Sequence, residues 1–181
     1  TSNWDTSSLT SLLATFNGCE KLETLDVSKW NTSSLTDPGA AFQNCKALKT
    51  LDVSNWDVSG MSNMGTAFQQ CWALKTLDVS KWDTSSATNM RQMFYYSDAL
   101  TVEGIENWNV SSLKNTYAMF YYAKAITELD LSGWQPTKLT NTQHMFGGCS
   151  NLQTIYVSDL WSNAGMTSSG NMFEGCSKLV G

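Results

Sequence analysis

The sequence contains little histidine and no long apolar run, and both shortages exclude functions. His144 is the only histidine among 181 residues. No Cys-x2-Cys pair is present either, so the clustered ligands that a zinc site requires are missing. No apolar run approaches the roughly 20 residues that a membrane-spanning helix needs. We therefore expect no metal site and no membrane insertion in this segment.

Positive charge is also scarce and scattered. The net charge is −5, the isoelectric point is near 4.7, and Lys and Arg occur without forming a cluster. A surface that binds nucleic acid needs a basic face. No nucleic-acid partner is therefore expected.

Catalytic motifs are missing as well. The residues around His144 contain no nucleophile, base and orienting group in a recognisable arrangement. The GGCS stretch at 147–150 has neither the spacing nor the preceding strand of a phosphate-binding loop. We predict that the protein is not an enzyme and that it uses no cofactor.

What the sequence does contain is a regular internal repeat. Trp recurs every 26 residues through six copies, and Phe follows each Trp by twelve positions. The pairs are Trp4/Phe16, Trp30/Phe42, Trp56/Phe68, Trp82/Phe94, Trp108/Phe120, Trp134/Phe146 and, after one inserted residue, Trp161/Phe173. We number the copies from these Trp residues. Such a period is typical of proteins built from stacked units, and it predicts interior ladders of Trp and Phe.

Each copy combines two hydrophobic periodicities, one typical of a strand and one typical of a helix. Segments such as LDVS at 77–80 alternate like a strand, and the Asp-Thr-Ser that follows the next Trp suits an Asx turn. In TNMRQMFYYS, Met90, Met93 and Phe94 have the i, i+3, i+4 spacing of a helix, and Thr88 is a candidate N-cap. Each copy therefore predicts a short strand, a turn and a short helix.

The full motif resembles a known family. The pattern L-x-x-L-D-V-S-x-W-D/N-T-S-x-x-T-N-M-x-x-M-F occurs at 74–94 and in parts at 22–45, 48–71 and 126–149, and it is similar to the BspA-like leucine-rich repeats of bacterial surface proteins. The resemblance implies a single α/β domain over residues 1–181. Its fold would be a right-handed leucine-rich-repeat solenoid of about seven coils, with parallel strands on one face and helices on the other.

The same resemblance implies a setting. It indicates a secreted or cell-surface protein that engages host or partner-cell molecules, and it supplies no shared catalytic residues. The chain begins and ends in mid-pattern, so we expect a fragment of a larger surface protein.

The cysteines occupy one column of the repeat, three residues after Phe. They are Cys19, Cys45, Cys71, Cys149 and Cys176, with Ser97 and Ala123 in the same column of the middle copies. A disulfide between neighbouring copies is an alternative, but helix axes about 8–10 Å apart would strain its geometry. We predict reduced, structural cysteines.

A column of acids falls on the predicted strands. Its members are Asp26, Asp52, Asp78 and Asp130. Such a ladder could bind cations, although hydrogen bonds with the serine two residues further on are a simpler role. In copy four, Glu103 falls in an inward Leu column, so either the strand slips there or a charge is buried.

Columns that vary between copies are free to carry specificity. One variable group collects in copies three to five: Trp72, Arg91, Tyr95, Tyr96, Tyr117, Tyr121 and Tyr122. Exposed aromatic groups with polar tips are common anchors in protein interfaces and can stack on sugars. Alternatively, half of these rings point inward and fill space beside Ser97 and Ala123.

These observations lead to a functional interpretation. We interpret the chain as a non-enzymatic scaffold at the bacterial cell surface that binds host or partner-cell proteins or glycans. Two alternatives stay open from sequence: a spacer that projects another domain, and a cation-binding Asp ladder.

Overall fold

The computed structural model describes residues 4–162 and 164–180. Four short strands occur within them: β1 (Thr76–Asp78), β2 (Thr101–Glu103), β3 (Glu128–Leu131) and β4 (Thr154–Val157). One 3-10 helix covers Ile105–Asn107. β1 pairs with β2 and β3 pairs with β4, in parallel in both cases. None of the described residues belongs to a helix long and apolar enough to cross a membrane.

The predicted fold class is wrong. The described residues contain no α-helix, and their strands form two separate two-stranded sheets. The right-handed leucine-rich-repeat solenoid with a continuous strand face and a helical face is therefore not what these residues form.

Residues 90–97, which have helical apolar spacing, form a run of turns. Alternate N–H groups donate to the carbonyl three residues back: Met93 to Met90, Tyr95 to Gln92 and Ser97 to Phe94. The N–H groups between them donate to the next copy: Gln92 to Tyr117, Phe94 to Met119 and Tyr96 to Tyr121. An α-helix requires each N–H to bond four residues back in its own segment. Half of the donors are directed to a neighbouring copy, so no helix can form.

Backbone conformation gives the same result. Gln92 and Tyr96 have φ of 54° and 53°, in the left-handed region. The same two columns are left-handed in the other copies: Ala14/Gly18, Ala40/Asn44, Thr66/Gln70, Ala118/Tyr122, His144/Gly148 and Asn171/Gly175. A non-glycine residue in this region costs about 1–2 kcal/mol. The hydrogen bonds and packing between copies must offset that cost at each position.

Successive copies stack in parallel register. Isolated bridges join Ser11 to Asp37, Thr24 to Thr50, Asn63 to Asn89, Asn89 to Asn115, Asn115 to Asn141 and Asn141 to Ser168. The Asn side chains in this column accept a backbone N–H within their own turn, and one of them also donates along the stack. Asn89 donates from Nδ2 to Asn63 at 2.9 Å, while its Oδ1 accepts the N–H of Arg91 at 3.1 Å. One column thus connects the copies and shapes the turn that follows.

Trp and Phe form ladders inside the stack, as predicted. Trp82 and Trp108 stack with ring centroids 6.1 Å apart, and Phe42 and Phe68 stack at 5.7 Å. Aromatic pairs prefer offset arrangements at about 4.5–7 Å, which the rise between copies supplies. The indole N–H of Trp82 donates to the carbonyl of Val53 at 3.0 Å. The ladder therefore buries its rings while this polar atom keeps a partner.

The strand slips at Glu103, so no charge is buried there. Val102 pairs with Leu77 and the exposed Glu103 pairs with Asp78, one residue out of the 26-residue step. Gly104 has a left-handed backbone, with φ of 85°, at the position of this one-residue slip. The next residue, Ile105, is buried. Of the two sequence interpretations, local slippage is confirmed.

We predict that Gly104→Ala destabilises the protein by about 2–4 kcal/mol, because it combines a left-handed backbone with an overlap. A Cβ at Gly104 would lie 2.2 Å from the Cα of Ser80. The measurement is urea unfolding followed by Trp fluorescence. Gly170→Ala is the matched control, since a Cβ there meets nothing within 4 Å. Equal stability of the two variants would contradict the strained slip at Gly104.

Candidate functional site

The residues that depart from the repeat occupy neighbouring columns of copies three to five. Arg91 is the only arginine, and Trp72 is the only Trp outside the periodic column. Of the six tyrosines, only Tyr156 lies elsewhere. The chain thus concentrates its non-repeating aromatic and guanidinium groups in one part of the stack.

Four tyrosines form a compact cluster, which we call the tyrosine block: Tyr95, Tyr96, Tyr121 and Tyr122. Tyr95 stacks on Tyr121 with centroids 5.3 Å apart and planes 12° apart, and Tyr96 stacks on Tyr122 at 4.7 Å and 4°. The two stacks touch side by side. The ring centroids of Tyr95 and Tyr96 lie 4.7 Å apart with planes 56° apart, and those of Tyr121 and Tyr122 lie 4.7 Å apart with planes 61° apart. The structure therefore brings these four predicted residues together.

Two glycines of copy six support the end of the block. A Cβ at Gly147 would lie 2.8 Å from the ring of Tyr121, and one at Gly148 would lie 2.6 Å from the ring of Tyr122. Because these positions have no side chains, the rings lie directly over the backbone. The faces of Tyr121 and Tyr122 are consequently occupied on both sides.

The tyrosine rings do not fill the interior. All four residues of the block are partly exposed, whereas Phe94 and Phe120 are fully buried. Ser97 fills its own place in the Cys column, donating its hydroxyl to the carbonyl of Phe68 at 2.8 Å. The interpretation in which half of the rings replace core residues is therefore disfavoured.

Tyr117 joins the block through a histidine. The His144 ring meets Tyr121 edge-on at 5.6 Å and Tyr117 edge-on at 6.1 Å. Its Nδ1 is buried, has no hydrogen-bond partner, and lies 3.7 Å from a carboxylate oxygen of Glu174. Only 21% of the His144 side chain is exposed.

Trp72 and Arg91 lie apart from the block. Trp72 is 46% exposed, and the ammonium of Lys46 sits 4.9 Å from the centroid of its ring. Arg91 is exposed and donates to the side-chain oxygen of Gln92 at 3.0 Å. No ring contact, hydrogen bond or ion pair within the described ranges joins either residue to a block tyrosine. They flank the block without belonging to it.

Lys124 is a neighbour of the block that sequence reasoning missed. Its ammonium lies 5.4 Å from the Tyr122 centroid and forms an ion pair with Asp98 at 2.9 Å. The pair with Asp98 raises the pKa of Lys124, so this cation stays charged beside the phenol rings. Asp98 and Lys124 are 26 residues apart, and that spacing of opposite charges was the available signal.

The aspartates on the strand side accept hydrogen bonds from serines within their own turns. Asp78 accepts two hydrogen bonds from Ser80, from the backbone N–H at 3.0 Å and from the hydroxyl at 2.7 Å. These bonds hold the pKa of Asp78 below its usual value. Among the residues that the structure describes, no group of three or more His, Cys, Asp or Glu is arranged to hold a metal ion.

The cysteines are free, as predicted, although the described residues contain no α-helices whose spacing could keep the thiols apart. Cys45, Cys71 and Cys149 are buried, Cys176 is partly exposed and Cys19 is exposed. The thiol of Cys71 donates to the carbonyl of Phe42 at 3.2 Å, in the same manner as Ser97. The column is therefore a ladder of weak donors to backbone carbonyls.

We predict that the thiols differ widely in reactivity in the native protein. Burial raises the pKa of Cys45 to about 11 and that of Cys149 to about 12, and it raises the pKa of Cys71 further. Since the thiolate is the reactive form, a raised pKa suppresses labelling at mildly alkaline pH. Ellman's reagent should label Cys19 quickly, and Cys71 and Cys149 only after urea unfolding.

The control for this experiment is Cys19→Ser, which should remove the fast phase alone. Rapid labelling of Cys71 in the folded protein, located by peptide mass spectrometry, would contradict the buried ladder.

Comparison with known proteins identifies one family. A family model described as "Mycoplasma protein of unknown function, DUF285" matches residues 1–76 and 62–180, and the two overlapping matches cover nearly the whole chain. Comparison with curated proteins and with solved structures gave no match.

Proposed function

We propose that this chain, which belongs to the DUF285 family, is a non-enzymatic repeat scaffold that binds a protein partner through the tyrosine block and its flanks. The finer assignment, also a proposal, is to the BspA-like leucine-rich repeats of bacterial surface proteins. It rests on the motif at 74–94 and implies an extracellular, adhesin-like role toward host or partner-cell molecules.

The observation that carries the proposal is where the non-repeating residues collect. Residues that dominate binding energy in protein interfaces are enriched in Trp, Tyr and Arg. In this chain Trp72, Arg91 and the tyrosine block lie in neighbouring columns. The core does not require them there, because other copies carry Gln, Gly or Lys in the same columns.

The arrangement of the rings favours a protein over a glycan. A sugar ring stacks on an open aromatic face, but Tyr121 and Tyr122 have their faces covered by rings of copy four and by Gly147 and Gly148. What remains accessible of these two rings is their edges and hydroxyl groups, which suit hydrogen-bond partners of a protein surface. Trp72, which is 46% exposed, is a position in this region that favours a glycan.

Preorganisation supports binding as well. Stacked rings have lost most of their side-chain freedom before a partner arrives, so less entropy remains to be lost on association. The contacts between stacked aromatic rings are each worth about 0.5–1.5 kcal/mol beyond their burial. A spacer would not need this ordered aromatic surface. A cation-binding ladder would need carboxylates that do not already accept hydrogen bonds within their own turns, as Asp78 does from Ser80.

The test is a protein and glycan array screen with the complete chain, followed by titration of each hit. Tyr95→Ala/Tyr121→Ala should weaken the protein hit by about 30-fold or more, because truncating a hot spot costs about 2 kcal/mol or more. Tyr156→Ala is the matched control, since Tyr156 is 49% exposed and lies on β4, away from the block.

A second variant separates binding from folding. Tyr95→Phe/Tyr121→Phe keeps both rings and removes the hydroxyl groups, so it should weaken binding while thermal unfolding stays close to that of the wild type. Unchanged binding by the double Ala variant would reject the tyrosine block as the site. A hit confined to glycans and lost in Trp72→Ala would reject the protein partner.

A further inference from the structure

We propose that Tyr96 and Tyr122 form an oxidative cross-linking site, at which a dityrosine bond joins copy four to copy five. This modification does not depend on the proposed binding function. It follows from the spacing of two phenol rings that the repeat holds in the same column.

The geometry singles out one pair. The ring centroids of Tyr96 and Tyr122 lie 4.7 Å apart with planes 4° apart. Of the two tyrosine stacks, this one has the shorter distance between centroids and the more nearly parallel rings. Both residues have left-handed backbones, with φ of 53° and 59°. Equivalent backbones and parallel rings place matching edges of the two phenols over each other. The ring carbons beside each hydroxyl group are therefore neighbours across the stack.

The chemistry requires one oxidant and balances in two steps. Hydrogen peroxide, acting through a haem peroxidase, takes one electron and the hydroxyl proton from each phenol and is reduced to two waters. The two phenoxyl radicals then form a carbon–carbon bond between the positions next to the hydroxyl groups. The hydrogen on each coupled carbon moves to the phenoxyl oxygen, which restores two phenols. The net change is the loss of two hydrogen atoms from the protein.

The surroundings permit this reaction. Coupling begins with overlap of the two ring π systems, which a parallel stack provides. The linked product requires the rings to turn out of the stack, and both residues are partly exposed, so that space is available. In the interior, by contrast, Phe94 and Phe120 stack at 5.4 Å but carry no hydroxyl group.

The second stack is a poorer site for physical reasons. Tyr95 and Tyr121 lie 5.3 Å apart with planes 12° apart. Burial raises the pKa of both phenols, so less of the readily oxidised phenolate forms at a given pH. The reaction should therefore select Tyr96 and Tyr122.

A link between these residues would close a loop in the chain. Cross-links stabilise a protein by restricting the unfolded chain, to an extent that increases with loop length. The linked protein should consequently unfold at a higher temperature than the unlinked protein. Copies four and five could then no longer separate.

The experiment treats the complete chain, at dilution, with horseradish peroxidase and hydrogen peroxide, and isolates the monomer. Trypsin cuts after Arg91, Lys114 and Lys124, which places the two tyrosines on separate peptides, 92–114 and 115–124. We expect blue dityrosine fluorescence and one joined peptide whose mass is the sum of the two less two hydrogen atoms.

Conservative variants make the assignment falsifiable without disturbing the fold. Tyr122→Phe and Tyr96→Phe should each lose the joined peptide, whereas Tyr95→Phe/Tyr121→Phe should keep it. The proposal is overturned if the joined peptide survives in Tyr122→Phe, if the double variant loses it, or if dityrosine appears only in covalent dimers. Free tyrosine, oxidised in parallel, verifies the reagent.

Discussion

Hydrogen bonds from one copy to the next are the interaction on which the rest of this molecule depends. Within residues 4–162 and 164–180 the strands are three or four residues long and form two pairs, so sheet formation alone could not order this part of the chain. Instead, alternate N–H groups of the turn segments in copies one to six donate to the following copy, as Phe94 does to Met119 at 2.9 Å. These bonds require left-handed residues at regular intervals, and the regular spacing of the copies then repeats that backbone along the chain.

Because the register is fixed, the residues of one column contact one another in successive copies. Residues 26 positions apart meet, so aromatic residues stack, amides bond to amides and opposite charges pair. Gln43 donates to Gln69 at 2.9 Å, and Lys46 pairs with Glu20 at 2.7 Å. Exposed ion pairs of this kind contribute little stability, whereas the buried aromatic ladders contribute much more. The core therefore fixes the register, and the surface follows it.

Sequence reasoning succeeded where a feature depends on period and failed where it depends on hydrogen-bond direction. The interior Trp and Phe ladders and the free cysteines follow from column identity. The helix prediction failed because Met90, Met93 and Phe94 have a spacing that a run of turns also produces. Apolar spacing shows which side chains face inward, but it does not show whether an N–H bonds within its segment or across the stack. The slip at Glu103 was recognised as a conflict, yet only the position of Gly104 resolves it.

Part of the candidate site could be predicted from the sequence because it, too, depends on the period of the repeat. A dipeptide repeated in consecutive copies must form two stacks, so Tyr95-Tyr96 and Tyr121-Tyr122 predict the block from sequence once the register is known. Its boundaries were harder to predict, because they come from what neighbouring copies lack. Gly147 and Gly148 end the stacks by leaving the rings against bare backbone. In a repeat protein of this kind, the surface is defined jointly by the residues that break the pattern and by the absent side chains that give those residues room.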